Sequence, residues 1–398
     1  MRSGTSAPLW IVALAFAAAV SRPAAADDRQ ECLKGSKETA AATIAACTRA
    51  IESGDYSEGN LSRLYYQRGC SWSWTNAADG VDHAFKDYTE AIRINPKDAD
   101  SLLNRSHIYN QRHDYDRAIA DANQAFESGL SRYGKQVGYG ERGDAYQAKG
   151  DHDRAIADYT SSLQLNANNT AALIARGNTY WAKGDLDRAI ADYDQAIALD
   201  PKYALAYYNR AAAYRAKGDF DRAIADSTEA IALYPKYALA YYNRASAFQA
   251  KGDLDHAIAD LSQAIDLYPR YRDAYFSRAY AYQTKGDYDR AIADYDQMIA
   301  LDPNDRDAYG NRAGAYLLKG DFRRALTDSG LGQALLWLVA AAFLATGVWR
   351  YCRTGTHAGG WLSGPGTIGI LDRELAEMQR KNAALEKIAV ALETRSLG

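Results

Sequence analysis

The residues best suited to catalysis are not arranged for it in this sequence. No HExxH, GxSxG or Walker A motif occurs, and no GxGxxG follows a strand pattern. The many Asp and Glu residues recur on helix faces, where solvated surface is their usual role. The sequence therefore predicts no enzyme, no metal site and no cofactor. The six histidines are scattered: His83, His107, His113, His152, His256 and His357.

Arginine and aspartate recur together along the chain, in most cases 16 residues apart. An arginine offers a planar fork that a carboxylate meets twice, so these residues are expected to pair across two helices or across neighbouring units. The alternative is a site for an anionic ligand. The arginines are Arg68, Arg105, Arg142, Arg176, Arg210, Arg244, Arg278 and Arg312. The aspartates are Asp87, Asp121, Asp158, Asp192, Asp226, Asp260, Asp294 and Asp328.

Two of the four cysteines lie close together near the N-terminus. Cys32 and Cys47 are fifteen residues apart, and two antiparallel helices would bring them within bonding distance. We expect a disulfide there, with Cys70 as the competing partner. Such a bond requires an oxidising compartment.

The N-terminus has the organisation of a secretory signal peptide. Residues 9–20 form an apolar run that is too short to span a bilayer, and Ala24, Ala25 and Ala26 follow it. Cleavage after Ala26 would leave a mature chain that begins at Asp27. The alternative is an uncleaved anchor.

Composition excludes several classes of protein. The chain has 398 residues, of which 47% are hydrophobic and 24% charged, and its mean hydropathy is −0.44. These values exclude wholesale disorder, collagen and a polytopic membrane protein. The net charge of −3 gives no basic field for nucleic acid.

A 34-residue period organises most of the chain. A Gly-Asp pair recurs from Gly150 to Gly320, and a proline recurs from Pro201 to Pro303, each at this spacing. Each unit is predicted to contain two amphipathic helices, with a turn at Gly-Asp and a stop at proline. The fold class is therefore all-α.

Small and large residues alternate in a fixed pattern within each unit. In the unit 170–203 the pattern is carried by Gly177, Tyr180, Gly184, Ala189, Tyr193, Ala196 and Pro201. It resembles the tetratricopeptide repeat (TPR), with units beginning near 62, 99, 136, 170, 204, 238 and 272 and a truncated one at 306. The units at 62 and 99 carry extra residues, and Ala167 stands where proline is usual. Residues 27–61 are predicted to be a degenerate capping pair, and the array to cover 62–329.

The resemblance implies a right-handed superhelix that holds a protein or peptide ligand in its concave face. In the family the first helices line that face, and a column of Asn amides resembles the asparagine ladder of O-linked N-acetylglucosamine transferases. The alternative is that these amides only solvate a helix face. A carboxylate clamp is not expected, because Lys and Arg do not cluster there. The groove residues implied are Asn104, Asn209, Asn243, Asn311, Tyr208, Tyr242, Phe276 and Trp181.

Composition changes after the repeats. Residues 332–349 carry no charge and would extend about 27 Å as a helix, close to the thickness of a bilayer's hydrocarbon core. We predict a transmembrane helix, with a final capping helix of the array as the alternative. Arg350 and Arg353 follow it, but Arg323 and Arg324 precede it, so the orientation rests on the signal peptide.

A linker at 350–369 leads to a second period at 370–394. Leu371, Met378, Leu385 and Leu392 recur every seven residues, and Asn382 lies on the intervening a-type seam. This heptad pattern predicts a parallel homodimer. The alternative is one amphipathic helix on the membrane or on a partner.

These patterns together predict a non-catalytic scaffold in a bacterial inner membrane, with its repeats in the periplasm and its tail in the cytoplasm. It would bind a protein or peptide and no nucleic acid. The alternative function is a chaperone-like holder of unfolded exported chains.

Overall fold

The computed structural model describes residues 27–54, 56–75 and 77–328. These residues form helices and turns and contain no strand. The predicted signal peptide, the apolar segment 332–349, the linker and the tail lie outside them. Within the described ranges, no helix combines the length and the apolar character that crossing a membrane requires.

The helices divide between two compact units, and the boundary between them along the chain follows Ala247. The N-terminal unit begins with α1 (27–33) and runs into α13. Its helices are α2 (Ala40–Ser53), α3 (Glu58–Trp74), α4 (Gly80–Ile94), α5 (Ala99–Gln111), α6 (Tyr115–Glu127), α7 (Arg132–Ala148), α8 (His152–Leu165), α9 (Thr170–Ala182), α10 (Leu186–Leu199), α11 (Ala204–Ala216), α12 (Phe220–Leu233) and α13 (Ala238–Ala250). The C-terminal unit contains the end of α13, then α14 (Leu254–Leu267), α15 (Arg272–Thr284), α16 (Tyr288–Leu301), α17 (Arg306–Lys319) and α18 (Phe322–Asp328).

From α3 onward, odd-numbered helices are the first and even-numbered helices the second members of the repeats. Most boundaries agree with the 34-residue period, but α3 and α7 begin four residues before the expected positions 62 and 136. The earlier start of α7 has a local cause, because the Ser131 hydroxyl caps it by accepting from the Gly134 N–H at 3.0 Å.

The Gly-Asp pairs make the turns inside the hairpins. Gly184 ends α9 with φ of 79°, a left-handed conformation that glycine adopts without strain. The Asp185 carboxylate then accepts from the Arg188 N–H at 3.2 Å and starts α10. Each pair therefore stops one helix and begins the next.

The core of each hairpin is a tyrosine packed against a small residue. Tyr193 is buried, and a Cβ built on Gly177 would lie 2.6 Å from the Tyr193 ring. Glycine is therefore required where α9 and α10 approach each other. In the N-terminal unit the first helices also lie side by side, since α7 contacts α5, and α9 contacts both α7 and α11. This contact places residues of successive first helices on one surface.

Candidate functional site

The amide column is largely occupied by bonds within the protein. In the N-terminal unit the Asn209 Nδ2 donates to the Asn178 Oδ1 of the preceding first helix at 3.1 Å. The same oxygen accepts from the Tyr193 hydroxyl at 2.7 Å. Asn209 therefore links two repeats and is only partly exposed.

Asn243 requires a correction, because it does not line a solvent-facing surface. Its side chain is 4% exposed. The Arg215 Nε donates to its Oδ1 at 2.8 Å, and its Nδ2 lies 3.4 Å from the Ser227 Oγ. A ligand would have to displace these partners to reach the amide, and a lost buried hydrogen bond is costly.

The remaining two amides have different partners. The Asn104 Nδ2 lies 3.7 Å from the Sγ of Cys70, the free cysteine of the described residues. In the C-terminal unit the Asn311 Nδ2 donates to the Asp307 carbonyl of its own helix at 2.7 Å. Asn311 is the only one of the four that bonds inside its own helix, so it is the amide that a ligand could most easily recruit.

Two further side chains complete this network, and sequence reasoning missed one of them, Asn110. The Asn110 Nδ2 donates to the Glu141 carbonyl of the next first helix at 2.8 Å. In the C-terminal unit the Gln249 Nε2 makes the same bond to the Ser277 carbonyl, also at 2.8 Å. These donors lie one helical turn or more after the Asn column, and they bond the following repeat.

A histidine of α5 lies beside two acidic residues of α7 next to that network. His107 Nδ1 lies 3.0 Å from Glu141 Oε1, and this hydrogen bond raises the pKa of His107 above its ordinary value. The Oδ1 of Asp144, on the same helix as Glu141, accepts from the Tyr159 hydroxyl at 2.6 Å. Within the described ranges, no three His, Cys, Asp or Glu side chains are grouped so that they could hold a metal ion.

The predicted aromatic residues differ in exposure. In the N-terminal unit Trp181 is exposed, whereas Tyr208 is half-buried and its ring lies 5.1 Å from that of Tyr237. Tyr242 is also half-buried. Phe276, in the C-terminal unit, is exposed. Trp181 and Phe276 are therefore the predicted aromatics that present most apolar surface to a ligand.

The recurrent arginines bond the second helix of their own repeat and also the second helix of the preceding repeat. The sequence had left both pairings open. Arg176 donates to the two Asp192 carboxylate oxygens at 2.9 and 2.7 Å, and its Nη1 donates to the Thr160 Oγ1 of the preceding second helix at 3.0 Å. We call this arrangement an arginine bridge. Arg210 makes the same bridge with Asp226, at 2.7 Å for both bonds, and with Asp194 at 2.6 Å.

Related bridges occur elsewhere in both units. The Arg244 Nη1 donates to the Thr228 hydroxyl at 3.0 Å, and Asp260 is buried in the C-terminal unit. Arg278 bonds Asp294 at 2.9 and 2.7 Å and also donates to Ser262 at 2.9 Å. The guanidinium group of each complete bridge donates two hydrogen bonds to a carboxylate, so the bridges stabilise the fold. Few of their donors remain available to an anionic ligand.

The N-terminal pair of helices is joined covalently. Cys32 and Cys47 form a disulfide that links α1 to α2. Both are buried with Ala46, Ala50 and Leu64 in one apolar cluster. The disulfide therefore holds α1 and α2 together covalently.

Sequence models of tetratricopeptide repeats match much of the array. A model described as TPR repeat matches residues 143–184 and 177–218. Two models described as tetratricopeptide repeat match 208–272, 242–305 and 276–334 in one case and 87–120 in the other. No curated protein matches the chain.

Solved structures also resemble it. The MamA protein is 31% identical with a TM-score of 0.39, and the alignment covers 42% of this chain and 92% of that one. A tetratricopeptide repeat protein from Parabacteroides merdae is 17% identical with a TM-score of 0.49, and the alignment covers 66% and 98%. A thermophilic TPR protein in Thermus thermophilus is 25% identical with a TM-score of 0.38, and the alignment covers 46% and 99%. Since the matching repeat models together span more than half of the 398 residues, the chain belongs to the tetratricopeptide repeat family.

Proposed function

We propose that this TPR protein is a non-catalytic scaffold that holds a protein or peptide on an apolar face of its first helices. TPR proteins generally act as scaffolds that bind protein partners. The observation that carries the proposal is the exposure of large apolar side chains on those helices, while the neighbouring amides are bonded internally. The binding affinity for the partner is then expected to come from apolar contact. The amides hold neighbouring helices in position.

The C-terminal unit presents the best-defined part of this face. Phe276 and Tyr280 lie one turn apart on α15, and Tyr280 is 58% exposed. Side chains four residues apart share a face of a helix, so the two rings form one aromatic surface. Exposed aromatic residues of this kind dominate the binding energy of many interfaces.

The next first helix lacks side chains at the equivalent positions. Gly310 and Gly314 lie 34 residues after Phe276 and Tyr280, and a Cβ built on either meets no atom within 4 Å. Arg272 on α15 bonds Asp305, which caps α17, at 2.6 and 2.9 Å, so the starts of the two helices lie together. Glycine inside a helix costs about 0.5–1 kcal/mol relative to alanine, and packing does not demand it here. The two glycines leave open a strip of α17 backbone that a ligand can approach beside the aromatic rings.

Photocrosslinking in membranes tests this assignment. A photoreactive residue in place of Tyr280 should capture a specific partner, whereas one in place of Tyr268 should not. Tyr268 is the matched control because it is also exposed and belongs to the same unit, but lies at the end of a second helix. Equal capture at both positions would contradict the proposed face.

Substitution provides the quantitative test, and competition separates the two functions. Phe276→Ala with Tyr280→Ala should weaken binding of the captured partner about 30-fold or more, because interface aromatics commonly contribute 2 kcal/mol or more. Gly310→Leu should weaken it by filling the open strip, without unfolding the unit.

Displacement of the partner by unrelated unfolded peptides would favour a chaperone-like holder, and resistance to them a dedicated adaptor.

We further propose that residues 332–349 anchor the protein in a bacterial inner membrane, with the repeats in the periplasm and the tail in the cytoplasm. The uncharged run of eighteen residues and the preceding signal-like N-terminus support this placement. Retention of the protein in the pellet after carbonate extraction is expected. The heptads of 370–394 support a parallel homodimer, which a cysteine in place of Leu385 should trap as an intermolecular disulfide.

A further inference from the structure

The last repeat of the array ends its first helix in two leucines, where the repeat before it has polar residues. Leu317 and Leu318 close α17, and Phe322 opens α18 on the other side of the same turn. All three are exposed, Leu318 by 56%. One repeat earlier the residues equivalent to the two leucines are Gln283 and Thr284, both polar, whereas Phe322 corresponds to residues that are also apolar, Tyr288 and Leu254. We call Leu317, Leu318 and Phe322 the apolar end.

The charge beside the apolar end is reversed relative to the rest of the array. The residue after Phe322 is Arg323, whereas the equivalent residues of all seven earlier repeats are aspartates. They are Asp82, Asp116, Asp153, Asp187, Asp221, Asp255 and Asp289.

The earlier aspartates serve contacts between repeats. Lys183 pairs with Asp153, and Lys217 pairs with Asp187 in the same way. Arg323 is exposed and forms no ion pair with any of the residues that the structure describes. The earlier repeats have a carboxylate here that pairs with the following repeat. The last repeat instead has a cation beside apolar side chains.

We propose that the apolar end and Arg323 rest on an anionic lipid bilayer. This inference depends on the proposed function, because it takes residues 332–349 as a membrane span. Only residues 329–331 would then separate Asp328 from the bilayer, and three residues reach about 10 Å at most. Leucine and phenylalanine insert into the lipid interface, and arginine is attracted to anionic headgroups.

The alternative occupant is the segment 332–349 itself, folded back as a capping helix. In the C-terminal unit Gln249 bonds the next first helix by donating to a backbone carbonyl of α15. The last repeat has Leu317 at the equivalent position and cannot donate this bond, so a capping helix would gain one polar contact fewer there than α15 does.

Lipid-borne quenching tests the contact in the full chain. The protein would carry Cys70→Ser and Cys352→Ser, one labelled cysteine in place of Leu318, and would be reconstituted in phosphatidylethanolamine–phosphatidylglycerol vesicles. A spin-labelled phosphatidylcholine should quench a bimane there at least about twofold more than a bimane in place of Tyr268, an exposed residue of the same unit. Arg323→Asp, which restores the residue of the earlier repeats, should reduce the quenching, and more so in anionic vesicles than in zwitterionic ones.

The outcomes separate the two proposals. Release by carbonate would overturn the membrane span, and the lipid contact with it. Retention with no more quenching at position 318 than at 268 would overturn the lipid contact alone. Protection of position 318 from both the lipid quencher and aqueous iodide would show that protein covers the apolar end, and would also overturn the contact.

Discussion

Removal of Asp226 should loosen the repeat formed by α11 and α12. The carboxylate is 10% exposed and meets Arg210, which is 19% exposed, in two hydrogen bonds of 2.7 Å. Truncating one partner of a buried pair costs about 3–5 kcal/mol. In this variant Arg210 remains partly solvated and keeps its bond to Asp194. Asp226→Ala should therefore lower the free energy of unfolding by about 2 kcal/mol, between the values for buried and for surface pairs.

Variants of two nearby aspartates allow the predicted losses of stability to be ranked. Asp192→Ala leaves Arg176 with Thr160, a neutral partner, and should cost about 3 kcal/mol because the guanidinium then lacks any carboxylate. Asp187→Ala removes only an exposed partner of Lys217 and should cost about 0–1 kcal/mol.

Native-state hydrogen exchange is the suitable assay, because repeat arrays unfold locally and a single unfolding transition is not assured. Exchange of amides in α12 should accelerate about 30-fold in Asp226→Ala, the factor that corresponds to 2 kcal/mol. The same acceleration in Asp187→Ala would refute the role of burial. An unchanged rate in Asp226→Ala would refute the bridge itself.

Two further predictions follow from the polar network and the disulfide. Asn243→Ala should lower the melting temperature, because it removes the buried amide that accepts from the partly buried Arg215 Nε; an unchanged melting temperature would contradict this. Reduction of Cys32–Cys47 should destabilise α1 and α2 by about 3 kcal/mol, measured by exchange, and leave α12 unchanged.

The hairpins could be predicted from the sequence because their determinants are local. Gly184 and Asp185 stop one helix and start the next through their own backbone and side chain. Tyr193 needs a residue as small as Gly177 opposite it, and both recur at fixed spacing. The early start of α7 was missed although Ser131 is a usual N-cap residue, since the repeat length alone set the expected boundary.

The amide partners could not be predicted in the same way. A helix period places Asn209 and Asn243 on one face of their helices, but their exposure depends on side chains of neighbouring helices. Asn178 precedes Asn209 by 31 residues and Arg215 precedes Asn243 by 28, so the two amides bond different positions of the preceding repeat. No single spacing rule covers both cases.

In a repeat array, departures from the repeated pattern are more informative about function than the pattern itself. Residues that recur, such as the bridge arginines and the turn aspartates, satisfy contacts that every repeat needs. Gly310 takes the place of an aromatic residue, and Arg323 takes the place of an aspartate, where the neighbouring repeats show that the common residue is compatible with the fold. Neither exchange improves packing: Gly310 borders open space, and Arg323 forms no ion pair with a described residue. Both positions lie in the last repeat, and they are the ones at which the proposed contacts with a ligand and with lipid are most directly tested.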